Sequence, residues 1–451
     1  MSILDTSNTF PDDQRQQLSS LAREVLGRCQ RQGASQAEVA MSVDRGLHVN
    51  VRGGAVETVE HTRDRGVAIT VYFDQRKGSA STGDLEADSI ATTIEQACHI
   101  ARYTEADAAA GLADADRMAA RFPDLDLWHP WALDATTAIE LGRRAEAAGR
   151  AVDPRISNSD GAGVGSGESV SVYANSHGFL GCERTTRHSI SCSLIADDGH
   201  GMQRDYWYSS KCAAADLESA EAIGVRAAER TLARLGARKL STRECPVLFA
   251  PELARSLIGH LVAAVSGGAL YRQASFLLDH RGKRIFPEWF QVFEDPFLPR
   301  GQASASYDAE GVATSASALI ADGVLQRYLL GSYSARKLGL QSTGNAGGVH
   351  NLLVRANAGD ATALMQSMGS GLWLTELMGQ GVNTITGDYS RGAAGFWVEN
   401  GVIAYPVDEV TIAGNLRQMF TGIQAVGDDV DTRTSVLTGS ILIDQMMVAG
   451  A

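Results

Sequence analysis

His260, His280 and His350 are the histidines of the second half of the chain, and their side chains are the first candidates for metal chemistry. All six cysteines come before Pro246, so no thiolate beyond that point can join them. A tight zinc site needs about three or four nitrogen or sulfur ligands held close together. Three scattered histidines therefore argue against such a site in this half, unless carboxylates complete it.

Asp308 and Glu310 are separated by one residue and could act as a pair in acid–base chemistry. Asp-x-Glu-Gly is also typical of a tight hairpin turn, which we favour. An independent hydrolase built from these two carboxylates with His260 or His280 is the weakest hypothesis, because no ligand spacing supports it.

Two further segments have composition that suggests binding. Gly161–Gly167 is dense in glycine but lacks the dinucleotide-binding spacing and follows polar residues, so the sequence predicts a flexible loop. The acidic group of Asp428, Asp429 and Asp431 lacks the Gly and the terminal Glu of a calcium-binding loop. We interpret it as a solvated turn.

A helix that begins at Pro251 must position His260. Leu253, Leu257 and Leu261 recur every four residues and mark its buried face. At 100° per residue, His260 lies about 20° from that face. The spacing predicts a core-facing histidine with one hydrogen bond rather than a metal ligand.

The order of elements predicts an α+β protein of two domains. The first domain, residues 1–240, has periodic helices near 13–31, 87–102, 136–152 and 216–235, with hairpin strands between them that predict an antiparallel sheet. The second domain, residues 241–451, is predicted to be mostly antiparallel β with few helices. Its hairpin turns are predicted at 308–311, 321–323 and 399–401.

Composition narrows the class of protein. The chain has 451 residues, 40 Lys and Arg against 53 Asp and Glu, and a net charge of −13. This acidic balance argues against nucleic-acid and anionic-membrane partners. We find no apolar run of roughly 20 residues and no basic or apolar signal region in Met1–Thr6. We therefore expect a cytoplasmic protein with free thiols.

Several short segments after residue 245 have a distinctive order: Ser275–Leu277, Glu294–Pro296, Tyr307–Val312, Tyr333–Gly339, Ser342–Ala346, Thr386–Ser390, Glu399–Gly401 and Ile412–Leu416. In these segments the chain closely resembles the PmbA, or TldE, branch of the TldD/PmbA metallopeptidase family. The similarity in length and domain order spans almost the whole chain. It implies a two-component cytosolic zinc peptidase, in which a TldD-type subunit carries a His-Glu-x-x-x-His motif and a distant cysteine ligand.

The family motif, laid on this sequence, is degenerate. Its second histidine matches His260, but Arg255 and Ser256 stand at the positions of the first histidine and the glutamate. The cysteine position falls near residues 436–439, where there is none. A guanidinium repels a dication and a hydroxyl cannot replace a carboxylate base, so the resemblance implies no catalytic residue and no bound metal here. The motif's spacing also separates its histidines by about 140° on a regular helix, and Gly259 marks where a distortion would be easiest.

The resemblance implies a PmbA-type subunit that pairs with a TldD-type catalytic subunit, which would hold the zinc. Such a complex acts in peptide maturation and in proteolysis of unfolded polypeptides, and this chain alone would be inactive. An edge strand of the β-rich C-terminal half is predicted to pair with extended peptide substrates. The candidate groove residues are Ser342, Thr343, Gly344, Asn345, Thr386 and Asp388, although structural turns explain these segments equally well.

Two alternatives stay open. The chain could be a non-enzymatic peptide-binding or scaffold protein. It could also form a homodimer when no partner is present, through a surface that the sequence does not reveal.

Overall fold

The computed structural model describes residues 14–450. The first half of the chain forms a six-stranded antiparallel sheet in the order β3-β2-β1-β4-β5-β6. Its elements are α1 (Gln14–Arg31), β1 (Gln36–Arg52), β2 (Ala55–Phe73), β3 (Arg76–Thr82), α2 (Ala87–Tyr103), α3 (Ala135–Arg150), β4 (Ile156–Asn175), β5 (Leu180–Asp197), β6 (Met202–Lys211) and α4 (Ala220–Ala233). The predicted first helix is confirmed from Gln14, and its expected start at Asp13 lies outside the described residues.

All four helices lie on one face of this sheet. Val39 and Met41 of β1 pack in the core beneath α1 and α2, whereas Val49 and Val51 pack beneath α3 and α4. These residues are all odd-numbered, and side chains alternate between the two faces of a strand. The opposite face of the sheet is therefore left for cavities and for the second half of the chain.

The glycine-rich segment Gly161–Gly167 is not a loop, which corrects the prediction. It lies inside β4 and pairs with both β1 and β5. A Cβ at Gly163 would lie 3.0 Å from Ser191 Oγ, and a Cβ at Gly165 would lie 3.1 Å from Ser189 Oγ. The glycines thus relieve crowding on the polar face between neighbouring strands.

The second half contains two sheets and five helices among the described residues. Its elements are β7 (Arg243–Phe249), α5 (Pro251–Ala264), α6 (Gly267–Tyr271), β8 (Val292–Asp295), β9 (Ser317–Ala321), β10 (Val324–Leu325), α7 (Ser332–Lys337), β11 (Asn351–Val354), α8 (Ala361–Met368), β12 (Gly371–Met378), β13 (Asp388–Glu399), β14 (Val402–Asn415), α9 (Leu416–Thr421), β15 (Ile423–Val426), β16 (Val436–Leu437) and β17 (Ile441–Ala449). Most pairings are antiparallel, but β7–β12 and β11–β16 are parallel. The predicted α+β class is confirmed.

The larger C-terminal sheet closes on itself. Its order is β14-β13-β12-β7-β17, and β17 also pairs with β14, so these five strands form a closed ring to which β15 adds. Closure leaves the ring without a long free edge. The smaller sheet, β10-β9-β8-β11-β16, ends in strands of two residues each. The long free edges of the described chain therefore belong to the N-terminal sheet.

Hairpin turns occur where the sequence predicts them. Asp322 and Gly323 join β9 to β10, and Asn400 and Gly401 join β13 to β14, all four with positive φ. Two successive left-handed residues match the type I′ turn that Asn-Gly and Asp-Gly favour. Among residues 14–450, no helix is long and apolar enough to cross a membrane.

A strap of residues 104–131 joins the two halves, and α7 holds it. The Arg336 guanidinium donates hydrogen bonds to the carbonyls of Gly111 (3.2 Å) and Leu112 (2.5 Å) and to Asp114 (2.9 Å). Asp107 of the strap accepts hydrogen bonds from Tyr333 Oη and from Lys337 Nζ. The Tyr333–Gly339 segment therefore has a structural role between the halves.

Replacing Arg336 with alanine should loosen the strap. The carbonyls of the strap lose their donor, so we expect a loss of about 1–3 kcal/mol in the free energy of unfolding and faster protease cleavage within residues 104–131. Chemical denaturation and limited proteolysis measure the two effects. The matched control is Arg76→Ala, at an exposed arginine that begins β3. Equal behaviour of the two variants would contradict the assignment.

Candidate functional site

The motif helix α5 is a regular α-helix from Pro251 to Ala264. Pro251 starts it at a position where the missing N–H costs nothing. Leu257, Ile258 and Leu261 are buried against the core, as the periodicity predicts. The helix continues through Gly259 without distortion, and a Cβ there would meet nothing within 4 Å. The local break that the family motif would need does not occur.

His260 is partly buried, and its ring meets Tyr389 edge-on with centroids 5.8 Å apart. Its Nε2 is buried and has no hydrogen-bond partner, so the single hydrogen bond expected from the sequence is not formed at this atom. Burial, with the nearby charge of Arg391, lowers the pKa of His260. The imidazole is therefore held in its neutral form beside an aromatic ring.

The other two motif positions have side chains with different partners. Ser256 Oγ donates to the carbonyl of Leu253 at 2.6 Å, a bond within the helix itself. Arg255 lies at a pocket that Arg433 also lines. The positive charge of Arg255 contributes to lowering the pKa of Asp431, although burial opposes it and Arg433 is the main cause.

The zinc that the family motif implies does not fit these residues. Arg255 supplies a positive charge, Ser256 is bonded to its own helix, and residues 436–439 supply no thiol. Within residues 14–450, no group of three or more His, Cys, Asp or Glu side chains is placed to hold a metal ion. A catalytic zinc needs about three protein ligands and a base, so we derive no reaction step through a metal on this chain.

A cleft of about 780 Å³ lies between the two halves beside the start of α5. Its walls come from β6 and α4 on one side and from α8, β12 to β14 and residues 429–433 on the other. The apolar wall consists of Met365, Trp373, Phe396, Ile403 and Tyr405. Trp373 Nε1 is buried without a hydrogen-bond partner. A volume of this size accommodates several residues of an extended peptide.

The opposite wall is charged and already paired. Arg230 contacts Glu252 at 2.7 Å and Asp205 at 3.4 Å. Arg433 contacts Asp431 at 2.8 Å and lies 3.9 Å from the centroid of Trp207. Asp431 is 6% exposed, so the prediction of a solvated acidic turn is wrong at this residue. These carboxylates hold arginines in place and are not free for a cation.

The edge of β6 runs along the same region. Five consecutive residues, Arg204–Tyr208, line the adjoining pocket, which shares Trp207, Glu252 and Arg433 with the cleft. The strand pairs with β5 on its other side and ends the sheet. Asp205 Oδ1 accepts the N–H of Tyr206 at 2.7 Å, which protects one position of the edge.

The predicted groove loop at Ser342–Asn345 is a buried hydrogen-bonded network. Ser342 and Asn345 are each 6% exposed. Ser342 Oγ donates to the carbonyl of Leu330 (3.1 Å), and Thr343 Oγ1 donates to Asn345 Oδ1 (2.8 Å). Gly344 has φ +71° and packs against the Ala313 carbonyl. Contact of this loop with a peptide stays a prediction. Its burial and its internal hydrogen bonds favour a structural role instead.

This network surrounds the buried carboxylate of Glu294, which is 1% exposed. Glu294 accepts hydrogen bonds from Asn345 Nδ2 (2.9 Å) and the His350 N–H (2.6 Å), and Arg327 forms an ion pair with it. Burial alone would raise the pKa of Glu294. The hydrogen bonds from His350 and the charge of Arg327 overcome that effect and lower the pKa to about 2.

Thr386 and Asp388 form an exposed turn before β13. Thr386 Oγ1 donates to Asp388 Oδ2 at 2.6 Å, and Asn415 Nδ2 donates to Asp388 Oδ1 at 3.2 Å. In the described chain, neither this turn nor the Ser342–Asn345 loop lines the 780 Å³ cleft. A role in substrate binding stays a prediction for both residues.

The groups of the independent-hydrolase hypothesis have separate structural roles. Asp308 accepts backbone N–H groups of Glu310, Val312 and Ala346, which makes the predicted turn. Burial nevertheless raises the pKa of Asp308 to about 6. Glu310 accepts the N–H of Ser332 at 2.8 Å, and His280 Nδ1 lies 2.6 Å from the carbonyl oxygen of Leu278.

Comparisons with known proteins agree on one family. Models of the PmbA/TldA metallopeptidase match the chain with domain 1 at residues 37–101, the central domain at 128–235 and the C-terminal domain at 242–450. The chain is 50% identical to the metalloprotease PmbA of Escherichia coli O157:H7 over 92% of both chains. It is 46% identical to the metalloprotease PmbA homolog of Haemophilus influenzae over the full length of both.

Solved structures show the same architecture. A protein of Bacteroides thetaiotaomicron, described as a candidate modulator of DNA gyrase, superposes with a TM-score of 0.92 at 27% identity. That likeness covers 98% of this chain and all of the other. TldE from Thermococcus kodakarensis shares the fold with a TM-score of 0.81 at 18% identity, over 95% of this chain and all of the other.

Replacing Glu294 with glutamine should destabilise the protein by about 3–5 kcal/mol near neutral pH, because Arg327 loses its buried counter-ion. The pKa is lower in the folded than in the unfolded state. The carboxylate therefore stabilises the fold fully above about pH 4.5, and this contribution is lost as the pH falls towards 2. Urea denaturation from pH 3 to pH 8 measures the difference from wild type.

Glu288→Gln is the matched control, because its side chain is 80% exposed. This control should change stability by less than about 0.5 kcal/mol. A difference between Glu294→Gln and wild type that grew as the solution became more acidic would contradict the assigned pKa direction.

Proposed function

This chain belongs to the PmbA branch of the PmbA/TldD metallopeptidase family, and we propose that it is the non-catalytic subunit of a cytoplasmic peptidase complex. Its partner would be a TldD-type chain of the same fold that holds the zinc. The pair would act in peptide maturation and in proteolysis of unfolded polypeptides. One observation carries this proposal. Arg255 and Ser256 occupy the motif positions that precede His260, and α5 is undistorted there.

The electrostatics of the cleft support a binding role without catalysis. Arg230 and Arg433 neutralise Glu252 and Asp431, so the wall next to α5 offers no free carboxylate pair. Water activation at a metal needs a base whose pKa suits proton transfer and an open coordination position. His260 alone offers one imidazole, whereas a catalytic metal needs about three protein ligands, and its Nε2 is buried beside the ring of Tyr389.

An extended peptide fits this cleft through main-chain pairing with β6. The edge beside Arg204–Tyr208 would supply backbone hydrogen bonds, which place little demand on the peptide's sequence. Trp373, Phe396 and Met365 would take apolar side chains on the opposite wall. This arrangement moves the proposed peptide edge from the C-terminal half, where the ring is closed, to the N-terminal sheet.

Metal content and activity test whether the partner alone holds the zinc and carries out the cleavage. The purified chain should contain less than about 0.1 zinc ions per molecule, because the first histidine and the cysteine of the motif are missing. It should also cleave no unfolded peptide when it is alone. Adding a TldD-type chain with the intact motif should restore cleavage. Stoichiometric zinc that disappears in His260→Ala, together with peptidase activity of this chain alone, would refute the proposal. Peptide binding without any gain in cleavage by the mixture would favour the scaffold alternative.

The cleft has its own test in Trp373→Ala. Loss of this ring from the apolar wall should weaken binding of a fluorescently labelled unfolded peptide about tenfold, measured by anisotropy on the complete chain. Hydrogen exchange should show protection of the amides of residues 204–208 when peptide is added. Tyr103→Ala, at a ring 80% exposed outside the cleft, is the control. Equal affinities of the two variants would place the peptide elsewhere.

A further inference from the structure

The small pocket that adjoins the cleft at the edge of β6 has an excess of arginine. Its volume is about 220 Å³, and its walls come from β6, α4, α5 and β12. The arginines that line it are Arg204, Arg230, Arg234, Arg255 and Arg433. The acidic residues that line it are Asp205, Glu252 and Glu376. The lining therefore carries more positive than negative charge.

Four of the five arginines are paired, each with a carboxylate of a different residue. The pairs are Arg204–Asp160 (3.0 Å), Arg230–Glu252 (2.7 Å), Arg234–Glu376 and Arg433–Asp431 (2.8 Å). Within residues 14–450, the guanidinium of Arg255 forms no hydrogen bond and no ion pair. Glu252 lies one turn earlier on α5, but its carboxylate is bonded to Arg230. Arg255 is thus the arginine of this pocket whose charge is not compensated.

The side chain of Arg255 is half-buried. A guanidinium stays charged and carries five N–H donors. Taking such a group partly out of water without a counter-ion costs free energy, and the like charges of the neighbouring arginines add to that cost. An anion that entered the pocket would remove the cost and accept charge-assisted hydrogen bonds. The pocket is therefore suited to a negatively charged group.

The positive charge of Arg255 also acts on the edge strand. Burial is the main cause that raises the pKa of the Tyr206 hydroxyl, and the charges of Arg230 and Arg255 oppose that rise. Tyr206 lines the same pocket and lies on β6, where it is 54% exposed. A peptide that paired with this edge would pass through the electric field of Arg255.

We propose that the guanidinium of Arg255 binds a carboxylate of the peptide in the cleft, so that this chain selects peptides with a free C-terminal or acidic side-chain carboxylate. The proposal rests on the proposed function, because it takes the ligand of the cleft to be a peptide. A guanidinium matches carboxylate and phosphate groups alike, and the carboxylate is the anion that an unmodified peptide supplies.

Three forms of a short fluorescently labelled peptide of alanine, serine and leucine test the proposal on the complete chain. The first form has a free C-terminal carboxylate, the second is the C-terminal amide, and the third is the amide with one glutamate in its sequence. At least one carboxylate form should bind about tenfold more tightly than the plain amide, because a hydrogen bond to a charged group is strong. The form that gains affinity identifies the source of the carboxylate.

Substitutions at position 255 assign the effect to this side chain. Arg255→Gln should abolish the preference for carboxylate and leave the affinity for the plain amide as in wild type, which also shows that the variant is folded. Arg255→Lys keeps the charge without the planar donor pair and should retain a preference of about threefold. Arg284→Gln is the matched control and should keep the full preference, because its side chain is 50% exposed outside the pocket.

Two outcomes would overturn the assignment of Arg255 while the cleft kept its peptide role. They are equal affinities of wild type for all three peptides, and a full preference for carboxylate in Arg255→Gln. Binding of none of the peptides would overturn this proposal together with the peptide role of the cleft. The failure of one proposal is therefore distinguishable from the failure of both.

Discussion

The buried carboxylate of Glu294 constrains the second half of the chain. An ionised group with 1% exposure must be paired, because its desolvation would otherwise cost several kcal/mol. Arg327, Asn345 and His350 meet this requirement from three separate segments. The hydrogen bonds of this carboxylate thereby hold β8, the loop after α7 and the start of β11 against one another.

That arrangement extends to the contact between the halves. The loop ordered around Glu294 presents the Ser342 carbonyl, which accepts a hydrogen bond from Arg117 of the strap at 2.7 Å. Nearby, α7 holds the same strap through Arg336. These two arginines therefore hold the strap against the second half of the chain. Two of the distinctive segments, Tyr333–Gly339 and Ser342–Ala346, thus take part in the contact between the halves.

Local sequence patterns predicted much of the fold. The helix at residues 87–102 was expected within one residue of α2, since apolar spacing and polar flanks are local signals. The Asp322–Gly323 and Asn400–Gly401 turns followed from backbone chemistry that depends on two residues only. The sequence also predicts that α5 lacks the ligands of the metal motif, because the side chains at positions 255, 256 and 260 decide what the helix can coordinate.

Long-range features were not accessible in the same way. Gly161–Gly167 looks like a loop until its neighbours Ser189 and Ser191 are placed 3.0–3.1 Å from the missing Cβ atoms. The cleft joins Trp207 with Trp373 and Arg433, which are far apart in the chain, so no window of sequence contains it. The sequence predicts a solvated Asp431, because the burial of its ion pair with Arg433 depends on the packing of Arg433 over the distant Trp207.

The closed ring of the C-terminal half also determines the order in which the protein can be completed during synthesis. The N-terminal sheet has all six strands once residue 211 has left the ribosome. In the second half, β7 must wait for β17, about 200 residues later, before its second side is paired. β7 would have neither partner until β12 is made, and it would remain half-paired and vulnerable to misassembly until β17 follows. A nascent chain stalled before β17 would therefore expose an open sheet beside a finished N-terminal half, and it would be a natural substrate for chaperones.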